Sequence, residues 1–287
     1  MSYQLSSAAI AAFDAMVKHA YASRGHLLRD CVRVRTGVVG STHKFPKMGQ
    51  GAAHLRGAPQ TDVVPMNVAH SGVTATLADY EAPEYTDIFS QQKVNYDEKA
   101  ELAQVLGDAM GRLEDQIIIN ALVAGTFGAT NSMAADVGGA NTNLNVEKVY
   151  AAAKLLGVAN VPSEDRVFIA HENQKAALLT ETPVTSSDYN SVKALVNGQI
   201  DTWMGFKWKW LGDRTEGGLP MADADDRKCY AFHKMAVGLA EGIAQRTSVD
   251  WIPHKTSWLS NAIFSAGAVT IDQPGVIQIL CDDDAVA

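Results

Sequence analysis

Several short runs in this 287-residue chain hold residue types that could do chemistry, and each lacks a partner that the chemistry needs. His171-Glu172 starts like a zinc-protease helix, but Lys175 stands where the second histidine must lie one turn on to share the metal. The run predicts a helix cap or a surface histidine. Asp223-Ala224-Asp225-Asp226 matches the opening of a calcium loop, yet Arg227 and Lys228 follow where an oxygen donor and a glycine are required, so a solvated turn is expected. Gly49-Gln50-Gly51 leads into Ala52-Ala53-His54 rather than a dinucleotide fingerprint, and neither a GxxxxGK[ST] phosphate loop nor a GxSxG nucleophile elbow occurs. Trp208 and Trp210 between Lys207 and Lys209 offer a base-stacking platform in principle; a half-buried strand explains the same alternation more simply. The terminal Asp282-Asp283-Asp284 could hold a cation and is expected to be a frayed polar tail. No catalytic residue, metal ligand or cofactor is assigned.

Cys31, Cys229 and Cys281 are odd in number and widely spaced, which provides no disulfide framework and no CxxC site; buried thiols are expected. Residues 117–124 form the most apolar run, too short to span a bilayer and interrupted by Asn120, so no membrane association is expected. The N-terminal residues show no secretory pattern, which predicts maturation in the cytoplasm. The formal net charge of −8 argues against a surface built to grip phosphate backbones. That average hides a gradient: residues 1–60 carry Lys18, Arg24, Arg29, Arg33, Arg35, Lys44, Lys47 and Arg56 against Asp14 and Asp30. Residues 79–101 reverse the sign, with Asp79, Glu81, Glu84, Asp87, Asp97, Glu98 and Glu101 against Lys93 and Lys99. The polarity fits a nucleic-acid patch, a basic arm lying on the acidic body of a neighbouring copy, or a merely solvated surface.

These charges must be positioned by elements. Ile10, Phe13, Val17, Ala20 and Tyr21 recur at helical spacing before Arg24-Gly25. From Leu27 to about His70 no helical period survives; β-branched alternation at residues 32–36 gives way to Gly37, Gly40, Pro46, Gly49, Gly51, Gly57 and Pro59. Strands with a long excursion are predicted, poor in large apolar groups and therefore in need of a packing partner outside the chain. A helix of about 28 residues is predicted from Asn95, capped with help from Glu98, through Leu102, Val105, Leu106, Ala109, Met110, Leu113, Ile117 and Leu122 to a stop at Gly125. Gly107 and Gly111 inside it predict close approach of another backbone. A Gly-, Asn- and Thr-rich connection leads to a helix opened by Asn145. A buried strand at residues 167–170, a helix at 172–179, a two-sided strand at 206–211, strand-like runs within 228–246 and two strands around Gln273-Pro274-Gly275 follow.

In this order of parts the chain resembles the major capsid protein of tailed bacteriophages, the Hong Kong 97-like fold. The likeness rests on Val32-Arg33-Val34-Arg35-Thr36-Gly37, Gly40-Ser41-Thr42-His43-Lys44-Phe45-Pro46, Pro59-Gln60-Thr61-Asp62, Ala82-Pro83-Glu84-Tyr85-Thr86-Asp87-Ile88-Phe89 and the long helix. The resemblance implies an α+β fold with an N-terminal arm (residues 1–28), an extended β-hairpin loop (29–80) and a peripheral domain (81–144) whose spine helix covers 95–125. An axial domain (145–235), peripheral return strands with a tip loop near residues 250–258 (236–266) and closing axial strands (267–287) complete it. It implies a structural protein assembling as hexamers and pentamers into an icosahedral head around double-stranded DNA bound without sequence specificity. The head would form in the host cytoplasm and remain in the virion. Some relatives carry about a hundred extra N-terminal residues as a built-in scaffold; their lack here implies a separate scaffolding protein or a processed product, with a portal as a further partner. The inter-subunit contact candidates are Arg33, Arg35, Lys44, Lys47 and Arg56 on the basic side and Glu81, Glu84, Asp87, Glu98 and Glu101 on the acidic side. An encapsulin-like cargo compartment and a small cytoplasmic α/β enzyme stay open as alternatives.

Overall fold

The computed structural model describes residues 25–60, 62–91, 98–181, 202–223 and 225–283, with the side chains of residues 90, 91 and 98 left out. The predicted N-terminal helix, the Asn95 cap with the Glu98 side chain, and Asp284 lie outside the described residues.

After a 3-10 turn at Arg29–Cys31, strand β1 (Arg33–Arg35) is followed by β2 (Thr42–Met48), β3 (His70–Thr76) and β4 (Ala78–Asp87). A single helical turn at Ile88–Gln91 precedes α1 (Glu98–Val123), and β5 (Ser132–Met133), α2 (Val146–Val158), β6 (Arg166–His171) and α3 (Glu172–Thr180) come next. β7 (Thr202–Trp203), β8 (Phe206–Leu211), β9 (Asp226–His233), β10 (Val237–Ile252), β11 (Ser257–Thr270) and β12 (Val276–Asp282) complete the order. Two larger sheets result: a four-stranded one ordered β1-β10-β11-β4, and a six-stranded one ordered β5-β12-β9-β6-β8-β7. β2 and β3 pair only with each other. The architecture is α+β.

The long strands exist because β10 and β11 can support each other as one antiparallel hairpin, paired from Val237↔Thr270 to Ile252↔Ser257. Thr256, in the left-handed region at φ 48°, turns the chain after Pro253–Lys255. β4 adds to the far side of β11, and β1 runs parallel beside β10. Helix α1 covers one face of this sheet: of the apolar stripe read from its spacing, Leu106, Met110, Ile117 and Leu122 are buried while Val105 is exposed, and Ile118 joins the buried side. It ends where Gly125 N–H closes onto the Leu122 carbonyl at 3.1 Å.

The two inner glycines of α1 differ. At Gly111 the backbone of the incoming segment crosses the helix: His26 N–H donates to the Gly111 carbonyl at 3.2 Å. A Cβ at Gly111 would lie 2.8 Å from Gly25 Cα. The expected close approach holds there. At Gly107 a Cβ would meet only Gln245 Nε2 at 3.7 Å, an ordinary contact, so packing does not require that glycine.

The six-stranded sheet follows the α/β alternation of the sequence. β6, buried along its whole length, pairs parallel with β8, with α3 lying between them in the chain. Asn145 accepts from Lys148 N–H at 2.8 Å and caps α2; His171 Nδ1 accepts from Asn173 N–H at 3.2 Å and caps α3. Trp208 is buried against Phe168, with ring centroids 4.3 Å apart, which accounts for the tryptophans as core. Cys31, Cys229 and Cys281 are free and buried.

Three expectations need correction. The connection after Gly125 contains β5, which pairs parallel with β12 at Gln278↔Ser132. Residues 282–283 are no frayed tail: Asp282 belongs to β12, and Asp283 pairs with Arg227 at 2.7 Å and accepts from Gln174 Nε2 at 2.7 Å. Local composition reads three aspartates as solvent-seeking, whereas the fold supplies the Arg227 guanidinium and the Gln174 amide to Asp283 at the end of β12. The early segment is not wholly without burial in its own chain either. Leu28, Cys31 and Val32 enter the main core, and Phe45 and Ala75 form a small core with Ala240 and Ile271.

Candidate assembly interface

The hairpin of β2 and β3 carries the candidate site's basic side. Seven cross-strand pairs, from Thr42↔Thr76 to Met48↔His70, extend it roughly 23 Å at ~3.3 Å per residue. Gly49 N–H donates to the Ala69 carbonyl at 2.7 Å and prolongs the ladder. Beyond it the chain has no strand or helix among the described residues up to His70. Its apolar side chains there face solvent: Leu55 is 99% exposed and Val63 93%. Scattered exposed apolar groups are ordinary, but a protruding loop carrying several of them marks a contact surface.

The base of this projection is held by charge. Arg29 donates to Glu241 at 2.7 Å and to Glu114 at 2.5 Å, and His26 Nδ1 meets the other Glu114 oxygen at 2.5 Å. The hydrogen bond that Arg29 donates to Glu241 lifts its guanidinium above its ordinary value; burial opposes the rise and the Glu114 charge assists it. Leu27 and Leu28 N–H both donate to Asp115, at 3.2 and 2.9 Å, and Arg214 donates to the same carboxylate at 2.9 Å. The entering segment is thereby riveted across α1 from Gly111 to Asp115.

The sequence-selected basic residues divide into two sets. Arg33, on β1, lies with its guanidinium carbon 5.6 Å from the Phe45 ring centroid. Lys47 pairs with Asp272 of its own chain at 2.6 Å. Arg35, Lys44 and Arg56 are exposed. Strand alternation puts Lys44 and Lys47 on opposite faces of β2, so the basic residues form no single patch. On the acidic side, the pairings Glu81↔Ile263 and Asp87↔Ser257 set these two on one face of β4, and Glu84↔Ser260 falls on the other. Glu101, and Glu98 by its backbone, belong to the first turn of α1. That end of the helix reaches the β10–β11 tip, where Lys99 Nζ lies 3.9 Å from the Trp258 ring centroid. The structure therefore puts Glu81 and Asp87 on one sheet face about six residues apart, with Asp87 at the tip that Glu98 and Glu101 approach and Glu81 away from it.

Sequence reasoning missed the apolar part. Leu55, Val63 and Val64 on the loop, and Ile243 on the sheet, are exposed. The signal available was the β-branched and leucine residues set between glycines and prolines, where a solvated linker would carry polar ones. Among the described residues no group of three potential metal ligands converges, and no helix is long and apolar enough to cross a membrane.

A two-sheet α+β body with a braced helix and an outreaching, apolar-tipped hairpin defines a shell-forming subunit of the Hong Kong 97-like class. The phage capsid protein family model matches residues 5–283, and the chain belongs to that family. Its role is that of a structural major capsid protein. The fold is similar to the acid-stable capsid structure of Helicobacter pylori bacteriophage KHP30, with TM-score 0.76 and 10% identity over 99% of this chain and 98% of that one. It is similar to the capsid of cyanophage P-SCSP1u, with TM-score 0.75 and 15% identity over 96% and 93%. The head structure of Helicobacter pylori bacteriophage KHP40 gives TM-score 0.75 and 11% identity over 94% and 95%. No curated protein matches the sequence.

Proposed function

We propose that copies of this chain gather as hexamers and pentamers and close into an icosahedral head around double-stranded DNA, assembling in the host cytoplasm with a separate scaffolding protein and a portal. The carrying observation is the hairpin of β2 and β3: its strands are fixed to the body by Phe45 and, farther along, by the Lys47–Asp272 pair, while Leu55 and Val63 of the loop beyond remain in solvent. Burying such groups stabilises by roughly 1.5–3 kcal/mol each, and a second copy supplies the surface. Residues 29–80 act as the extended loop and 1–28 as the arm. Residues 81–144 with 236–266 act as the peripheral domain, and 145–235 with 267–287 as the axial domain.

In the contact Arg33, Arg35, Lys44, Lys47 and Arg56 oppose Glu81, Glu84, Asp87, Glu98 and Glu101 of a neighbour. Such contacts are heterologous, so ring closure and curvature, not affinity alone, decide the product. The net −8 suits an interior where DNA must pack without adhering to the wall. The work is contact, with no catalytic step. Co-expression with a candidate scaffold, followed by electron microscopy and nuclease protection, tests this: closed shells with protected double-stranded DNA after packaging are expected. Particles filled with a protein cargo, or a monodisperse monomer under all conditions, would overturn it.

A further inference from the structure

The four-stranded sheet has one face under α1; on the other, the hairpin's Phe45 and Ala75 cover the end around Gly238 and Ala240, and the part beyond is open. On the open face Asp79, Glu81, Ile243 and Ile263, with Tyr80 and Phe264, line a depression of about 280 Å³. The register explains its make-up. Glu81 sits opposite Ile263, and Asp79 opposite Ser265, which in turn faces Ile243. Two carboxylates of the edge strand therefore rim an isoleucine floor, and Ile243 is 45% exposed. Among the described residues neither the Asp79 nor the Glu81 side chain has a hydrogen-bonding or ionic partner. Arg246, paired across from Ile263, is the nearest cation in the register and does not line the depression.

An apolar floor with an anionic rim fits one apolar side chain next to one cation. Residues 49–69 contain a single such pair, Leu55-Arg56, both exposed; Arg56 is the only lysine or arginine in that stretch. Val63-Val64 follows Asp62, whose charge the rim repels. Met66 lies over Gly51, where a Cβ would stand 3.1 Å from its sulfur. The chain's own loop does not return to the Asp79 end of the sheet. Lys47 pairs with Asp272, and Gln50 lines a depression with Asn160 and His233, so the hairpin leads the loop toward the six-stranded sheet and away from Asp79.

We propose that this depression receives the Leu55-Arg56 pair of a second copy, with Leu55 against Ile243 and Ile263 and the Arg56 guanidinium between Asp79 and Glu81. The assignment rests on the shell reading above and names the contact that the loop makes. Two measurements test it. Shells of a chain carrying both Arg56→Cys and Glu81→Cys, treated with a short flexible bismaleimide, are expected to give a ladder of covalently linked chains on denaturing gels, while dissociated subunits give none; a guanidinium–carboxylate contact holds the two Cβ atoms farther apart than the ~3.8 Å a direct disulfide needs. The native thiols are buried and add little background. Assembled shells without a ladder overturn the pairing. Independently, Arg56→Glu and Glu81→Arg are each expected to lower shell yield about tenfold, and their combination to recover it to within about threefold. Unimpaired single variants, or no recovery in the combination, overturn it as well. Either failure leaves the shell reading standing if the parent chain still assembles; failure of the parent chain with its scaffold sinks that reading instead.

Discussion

Arg214 Nη1 donates to Asp115 Oδ2 at 2.9 Å, and both side chains are sealed from solvent. The pair ties the loop after β8, in the six-stranded sheet, to the helix that covers the four-stranded one. Asp115 also receives the Leu27 and Leu28 N–H groups, so one carboxylate joins three segments.

Removing one member of a buried pair strands the other, a loss of about 3–5 kcal/mol. Arg214→Met is expected to lower the urea midpoint accordingly. Adding Asp115→Leu is expected not to restore it, because Leu27 and Leu28 N–H then lose their acceptor. Equilibrium denaturation of the parent chain and the two variants checks both statements.

The glycines of α1 predict opposite signs. Gly107→Ala meets only an ordinary contact with Gln245 and is expected to stabilise by up to about 1 kcal/mol through helix propensity. Gly111→Ala places its methyl 2.9 Å from His26 Cδ2 and against Gly25, and is expected to destabilise by about 1–3 kcal/mol despite the same propensity gain. Thermal melts of the two variants separate the effects.

Acid should weaken α3 at its start. Burial pushes the His171 imidazole below its ordinary value, the Arg227 charge adds to this, and Asp213 and Asp283 oppose it. The ring is therefore neutral in the fold, with Nδ1 accepting from Asn173 N–H. The unfolded chain binds this proton more readily, so stability rises with pH up to about 6.5 and is lost as pH falls below that. His171→Asn keeps a capping acceptor and removes the titration. It is expected to reduce the slope of stability against pH between about 5 and 6.5 without abolishing it. His233, also held low, first by burial, supplies the remainder. Urea midpoints across that range measure the difference.

Reversing Arg33, Arg35, Lys44 and Lys47 to Glu is expected to leave a folded, soluble chain that forms no shells. Among the described residues, the partly exposed Lys47–Asp272 pair is the ion pair that these four make, a cost of about 1 kcal/mol or less. Circular dichroism should be retained while electron microscopy shows no particles; normal shells would refute the assignment of these charges to assembly.

Much of the architecture was legible in the sequence because periodicity is local. The α1 stripe from Leu102 to Leu122, the buried run of β6, the alternation of β8 and the caps at Asn145 and His171 follow from side chains within a few residues of each other. The exclusion of phosphate-loop and zinc-protease motifs and the reversal of charge between residues 1–60 and 79–101 were equally readable.

What only the tertiary structure decided is who meets whom. Lys47 finds Asp272 across 225 positions, Arg29 finds Glu241 across 212, and Asp283 is drawn to Arg227 and Gln174 instead of solvent. Likewise Lys44 and Lys47 part to opposite faces, and Glu81 joins Ile243 and Ile263 while Glu98 and Glu101 go to the tip. Side-chain type fixes a preference for water, helix or strand, but partners this distant in sequence are set by strand register, and a one-residue slip would turn every one of these groups to the other face.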